Sequence, residues 1–94
     1  MKKILIACRF GVGTSLILKI KIQEVIKEHN LPIIVEHSNL DGIAGFRGDA
    51  IFTVIDVASE MSEKYPNIDF YGIANIIDKD EIYSKICEFM SKHE

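Results

Sequence analysis

The sequence has no Trp, only two Cys, only two Pro and no long apolar run. Each shortage closes off a class of protein. Cys8 and Cys87 do not form a Cys-x-x-Cys pair, so neither a zinc site nor a thioredoxin-like redox motif is present. Two thiols without an export signal also do not make a disulfide framework. A membrane span needs about 18–20 apolar residues, whereas runs such as Ile4 to Cys8 break within a few positions, so direct membrane insertion is not expected. Met1-Lys2-Lys3 followed by Ile4-Leu5-Ile6-Ala7 has the basic-then-apolar order of a signal peptide. Arg9 ends that apolar part too early, and a cytoplasmic location is expected. His29, His37 and His93 are too scattered to suggest a metal site, and surface or helix-end roles are expected for them.

What is present is an ordinary globular mixture, 48% hydrophobic and 27% charged over 94 residues. That length fits one domain, here residues 1–94, with no internal repeat, linker or low-complexity segment. The net charge of −3 argues against nucleic acid as a partner. Its distribution is more informative. Residues 1–47 hold seven Lys/Arg against four Asp/Glu, and residues 48–94 hold four against ten. An anionic ligand is better received by the first half.

Ile4-Leu5-Ile6-Ala7 is a continuous apolar run of strand length, the pattern of a parallel strand buried on both faces. A glycine-bearing turn follows, and a helical pattern runs from near Ser15 to about Asn30, stopped by Pro32. On that helix Leu18, Ile22, Val25 and Ile26 share the arc that should cover a sheet. Ile33-Ile34-Val35 reads as a second strand, and residues 41–49, with Gly42, Gly45 and Gly48, as an irregular connection or short helix. A third strand spans residues 50–55. Asp56 sits at an expected N-cap, with possible general-acid chemistry as the lesser reading. A short helix to about Lys64, a fourth strand over residues 68–73 and a last helix from an Asp78 cap to about Lys92 complete the order. Ile82, Ile86, Phe89 and Met90 form the apolar face of that last helix. Alternating strands and helices imply a small doubly wound α/β fold. We expect a four-stranded parallel sheet in the order 2-1-3-4, flanked by helices on both faces. Ligands in such sheets bind beyond the C-terminal strand ends at the switch between strands 1 and 3. Cys8 lies there.

The stretch Cys8-Arg9-Phe10-Gly11-Val12-Gly13-Thr14-Ser15 carries the chemistry. The two glycines let the backbone curl so that N–H groups turn inward, and a helix N-terminus points at the same place. That combination suits a phosphate-sized anion. A thiol at its rim ionises more readily beside the helix terminus and Arg9. A thiolate next to an anion cradle suggests attack on phosphorus and a phosphocysteine intermediate. Backbone N–H groups and the Thr14 and Ser15 hydroxyls would hold the transferring oxygens. Other glycine-loop chemistries fit less well. The dinucleotide fingerprint fails because Leu16 stands at its third glycine, and no Gly-Lys pair exists for a Walker loop. Thr14 stands where a cysteine-dependent phosphatase needs its clamping arginine. Weak holding suits a carrier, and no cofactor is implied.

Strand-Cys-x-x-Gly-x-Gly-Thr-Ser followed by Leu-Ile-Leu-Lys-Ile-Lys-Ile on a helix resembles the IIB component of the bacterial phosphoenolpyruvate-dependent sugar phosphotransferase system, most of all its ascorbate/galactitol branch. The resemblance spans the chain in length and element order and is most specific from Lys3 to Ile26. It implies that Cys8 accepts a phosphoryl group from a phosphohistidine on a IIA partner. It also implies that Cys8 passes the group to a sugar brought in by a membrane-embedded IIC partner, which recruits the chain to the inner membrane face. Arg9 to Ser15 would then be the phosphate loop. Family loops tend to carry a small residue directly after the cysteine, where this chain has Arg9 and Phe10. A non-covalent anion-sensing or partner-docking module is the alternative.

Three other features bear on function. Leu16, Ile17 and Ile20 are apolar yet fall outside the sheet-facing arc, close to Cys8 in sequence and rimmed by Lys19 and Lys21. They suggest a docking patch for the IIA and IIC partners. Cys87, beside Ile86 and Phe89, reads as core filling. Arg47, in the glycine-rich connection, reads as a solvated surface residue within possible reach of an anion.

Overall fold

Period-two alternation along β1 (Lys2–Cys8) sends Ile4 and Ile6 to one face of the sheet and Leu5 and Ala7 to the other, and all four are buried. That double burial is why the strand reads as an unbroken apolar run. The computed structural model describes residues 2–8, 13–39 and 42–93, and side chains at all of these except 8, 13–15 and 39. After β1 come α1 (Gly13–Glu28), β2 (Ile33–Asn39), β3 (Ala50–Val54), α2 (Ile55–Lys64), β4 (Phe70–Ile73) and α3 (Lys79–Lys92). The four strands form one parallel sheet in the order β2-β1-β3-β4, as the sequence leads one to expect.

Helices α1 and α3 cover one face. Leu18, Ile22 and Val25 of α1 and Ile82, Ile86 and Phe89 of α3 close over Ile4, Ile6, Ile33, Phe52 and Ile73. Phe52 stacks on Tyr71 at 5.0 Å between centroids and meets Phe89 edge-on at 5.9 Å, a geometry that adds to the area buried. On the opposite face Val57 and Met61 of α2, with Ile43 from the β2–β3 crossover, cover Leu5, Ala7 and Ile51. The crossover contains no helix of its own over residues 43–49. It is fastened at its far end, where Asp49 N donates to Lys3 O and Lys3 N donates to Asp49 Oδ2, both at 2.8 Å. At Gly72 a Cβ would lie 2.8 Å from the Ile55 Cα, so glycine is what lets α2 start hard against β4.

Element ends refine the sequence reading. Asn30, with φ 52°, is the left-handed residue that terminates α1. Leu31 N donates to Ile26 O at 3.0 Å and Asn30 N to Lys27 O at 3.4 Å, the paired bonds of a Schellman ending. Pro32 therefore follows a helix already closed. Asp78 caps α3 as expected, accepting from Asp80 N and Glu81 N at 3.0 and 3.2 Å. Asp56 is not the N-cap expected of it. Val54 holds that place without a side-chain hydrogen bond, and Asp56 sits one residue inside the first turn, where its charge still suits the helix dipole. Strand β2 is four residues longer than its apolar core, because it is an edge strand and continues through Glu36, His37 and Ser38.

Candidate functional site

Cys8 is the last residue of β1, a central strand, and pairs with Asn39 at the end of β2. The β1–β3 register Ile4↔Ala50 and Ile6↔Phe52 runs toward the end of β3 on the other side. There the Thr53 hydroxyl, fully buried, donates to the Ala7 carbonyl at 2.6 Å. This bond fixes the backbone immediately before Cys8 to the neighbouring strand. The strand order reverses between β1 and β3, so Cys8 stands at the switch point where such sheets leave a crevice. Thr53 was not singled out in the sequence. The available signal was a lone hydroxyl inside the otherwise apolar strand Ala-Ile-Phe-Thr-Val.

Helix α1 begins at Gly13 and brings Thr14 and Ser15 into its first turn. That turn contains no acidic residue, in contrast with Asp56 in α2 and Asp80 and Glu81 in α3. An anion at the N-terminus of α1 would meet partial positive charge without a competing carboxylate. Arg9, Phe10, Gly11 and Val12 lie outside the described residues. The structure thus brings the backbones of Cys8, Gly13, Thr14 and Ser15 to one end of the sheet through β1 and α1.

The outer side of α1 matches its apolar pattern. Leu16, Ile17 and Ile20 are 47%, 42% and 47% exposed, while Leu18, Ile22 and Val25 are sealed in the core. Lys19 and the Lys21–Glu24 ion pair at 3.4 Å lie on the same helix. Ile55, also exposed, opens α2 directly after β3, adding an apolar residue near the same end of the sheet.

A four-stranded parallel sheet in this order is what the family comparison meets. The sequence matches the model of the family described as PTS system, lactose/cellobiose-specific IIB subunit over residues 3–87. The chain belongs to the PTS IIB family. It is 32% identical over 83 residues to the ascorbate-specific PTS system EIIB component of Mycoplasma pneumoniae, with 84% of each chain covered. The lactose-specific IIB domain of Streptococcus pneumoniae shares the fold at a TM-score of 0.57 and 23% identity, covering 98% of this chain and 96% of that one. As a PTS IIB component, the chain serves sugar transport and phosphoryl transfer, in a system whose IIB components work with IIA and IIC partners.

Elsewhere in this IIB chain the second thiol departs from its expected role. Cys87 is exposed rather than core filling, because α3 turns Ile86 and Phe89 inward and leaves position 87 on the outer side. The Tyr83 pKa is raised, chiefly through its interaction with this thiol. Tyr83 in turn stacks on His29 with centroids 4.0 Å apart. His93 bonds Asp69 at 2.6 Å beside Lys92. No cluster of three or more His, Cys, Asp or Glu suited to a metal occurs among the described residues, and none of their helices is long and apolar enough to cross a membrane.

Proposed function

We propose that this IIB chain, acting as one unit over residues 1–94, relays phosphate through Cys8. The observation that carries the reading is the placement of Cys8 at the end of central strand β1, ahead of a helix whose first turn holds no carboxylate. The Cys8 thiolate attacks the phosphorus of a phosphohistidine on a IIA partner. An S–P bond forms, the N–P bond breaks, and the imidazole nitrogen keeps the electron pair. In the second half-reaction a sugar hydroxyl, held by the membrane-embedded IIC partner, attacks the same phosphorus. The S–P bond breaks, the thiolate is restored, and the hydroxyl proton passes to a base. Arg9, Phe10, Gly11, Val12, Gly13, Thr14 and Ser15 form the cradle, with N–H groups and the Thr14 and Ser15 hydroxyls on the phosphoryl oxygens. The loop and helix terminus lower the Cys8 pKa below that of a free cysteine, supplying thiolate near neutral pH.

Leu16, Ile17 and Ile20 form the apolar surface against which the IIA and IIC partners press in turn, and the IIC partner draws the chain to the inner membrane face. In-line transfer requires the donor histidine to reach Cys8, so docking beside the loop shortens the search for that geometry. Intact-mass measurement after incubation with phosphoenolpyruvate and the cognate phosphotransferase proteins tests the relay. One added phosphate is expected on the wild type and on Cys87→Ser, and none on Cys8→Ser. A phosphate retained by Cys8→Ser would overturn the relay. No phosphate on folded wild type would favour a non-covalent anion-sensing module.

A further inference from the structure

Between the β2–β3 crossover and the outer face of β2 lies an open cleft of about 500 Å³, within the size range of small-molecule sites. Helix α2 packs chiefly over β3 and β4 and reaches β1 at Leu5 and Ala7, so that among the described residues the β2 side of this face is lined by the crossover. The floor is Leu5 and one wall is Phe46, while Lys3, Glu36, Ser38 and Arg47 supply polar groups. The Lys3 ammonium pairs with Glu36 at 3.3 Å, both side chains remaining solvated. Arg47 has no ion-pair partner among the described residues. Among the described lining residues the Lys3 and Arg47 cations therefore face one carboxylate, Glu36, in a chain whose net charge is −3. The arginine fork matches a carboxylate or phosphate in two places. The Ser38 hydroxyl and the Glu36 carboxylate can accept from ligand hydroxyls, and the apolar floor and aromatic wall suit the C–H face of a ring.

We propose that this cleft binds a small anionic carbohydrate, a sugar acid or a sugar phosphate. The anionic group engages Arg47 and Lys3, and the hydroxyls engage Glu36 and Ser38. Gly42 packs its backbone directly on Ser38, where a Cβ would lie 2.2 Å from the serine Oγ, and so closes one end. Gly45 faces open space, with nothing within 4 Å of an added Cβ, and so leaves the cleft accessible there. The site does not depend on phosphoryl transfer through Cys8.

Amide chemical-shift titration of the full, unphosphorylated chain with glucose 6-phosphate, gluconate, glucose and inorganic phosphate tests the site. The amides of Ser38, Gly42, Gly45 and Arg47 should move saturably with one or both sugar anions, and the pattern identifies which anion is preferred. Glucose should leave them unmoved, and inorganic phosphate should bind more weakly than the preferred sugar anion. Arg47→Ala should weaken binding by about tenfold or more, as loss of a charge-assisted hydrogen bond implies. Gly45→Leu should fill the cleft and abolish binding while the remaining amides keep their positions. That second variant decides the matter if Arg47→Ala disturbs the fold. Shifts confined to the Cys8 loop, no saturable shift, equal response to glucose or phosphate, or unchanged affinity in both variants would each overturn the proposal. None of those results bears on the Cys8 relay, which is read by mass without these ligands.

Discussion

Thr53 is the single polar side chain fully buried among the described residues, and its hydroxyl is spent on the carbonyl just before Cys8. Replacing it with valine keeps the volume but removes the donor from a buried carbonyl. Thr53→Val should lose about 1–3 kcal/mol in urea unfolding and slow phosphorylation, because the end of β1 is no longer fixed. Wild-type rates in a destabilised variant would separate stability from positioning. The two cysteines divide at the same scale. Cys87 is exposed and engaged with Tyr83, so Cys87→Ser should leave the phosphate acceptance of the protein intact, whereas Cys8→Ser should abolish it by intact mass. The proposal of a phosphate loop from Arg9 to Ser15 rests on sequence, on Gly11, Gly13 and the two hydroxyls, and residues 9–12 lie outside the described structure. Thr53 was not legible as a positioning residue, since only strand pairing brings position 53 to position 7.

Helix α1 is apolar on more than one side, and each side has a separate reason. Leu18, Ile22 and Val25 seal the core, whereas Leu16, Ile17 and Ile20 are left in water. Changing Ile17 and Ile20 together to Ser should leave the unfolding midpoint nearly unchanged and slow phosphorylation by the IIA partner. A wild-type transfer rate in the folded double variant would place docking elsewhere. The end of the same helix gives a second test. Asn30 adopts φ 52°, a region costly by about 1–2 kcal/mol for most residues. Asn30→Gly should hold or raise thermal stability, and Asn30→Val should lower it by about that amount. Helix limits near Pro32 were readable from sequence, but the device that closes the helix was not, because asparagine enters the left-handed region only where its neighbours allow it. Strand β2 was read short for a related reason. An edge strand exposes Glu36 and His37, and polar residues conceal a strand from any apolar pattern.

At the scale of the whole molecule, solvated ion pairs tie α3 to the rest of the fold. The Asp69 carboxyl is held below its ordinary pKa, chiefly by the hydrogen bond from Lys92 and then by His93, against the opposing effect of burial. A lowered folded value means that this stabilisation is complete above the unfolded pKa of the carboxyl and is lost as pH falls through the folded one. Lys92 and Lys79 are raised, chiefly by their hydrogen bonds to Asp69 and Glu28. Their contribution is complete below the unfolded lysine pKa and disappears as pH rises through the folded one. Urea midpoints should therefore plateau between these limits, with an acid limb that Asp69→Asn flattens and that added salt weakens. By itself the sequence determined the element order, the sheet-facing residues of α1 and the place of Cys8 at a strand end, because local periodicity suffices for these. Right-handed crossovers narrowed the strand orders, and strand pairing decided on 2-1-3-4. Only the tertiary structure decided that Ile55 remains exposed, that Cys87 faces outward, that Val54 rather than Asp56 occupies the cap position, and that a cleft opens beside Arg47. Those outcomes depend on what packs against each side chain from a distant part of the chain, and local sequence carries no record of that neighbour.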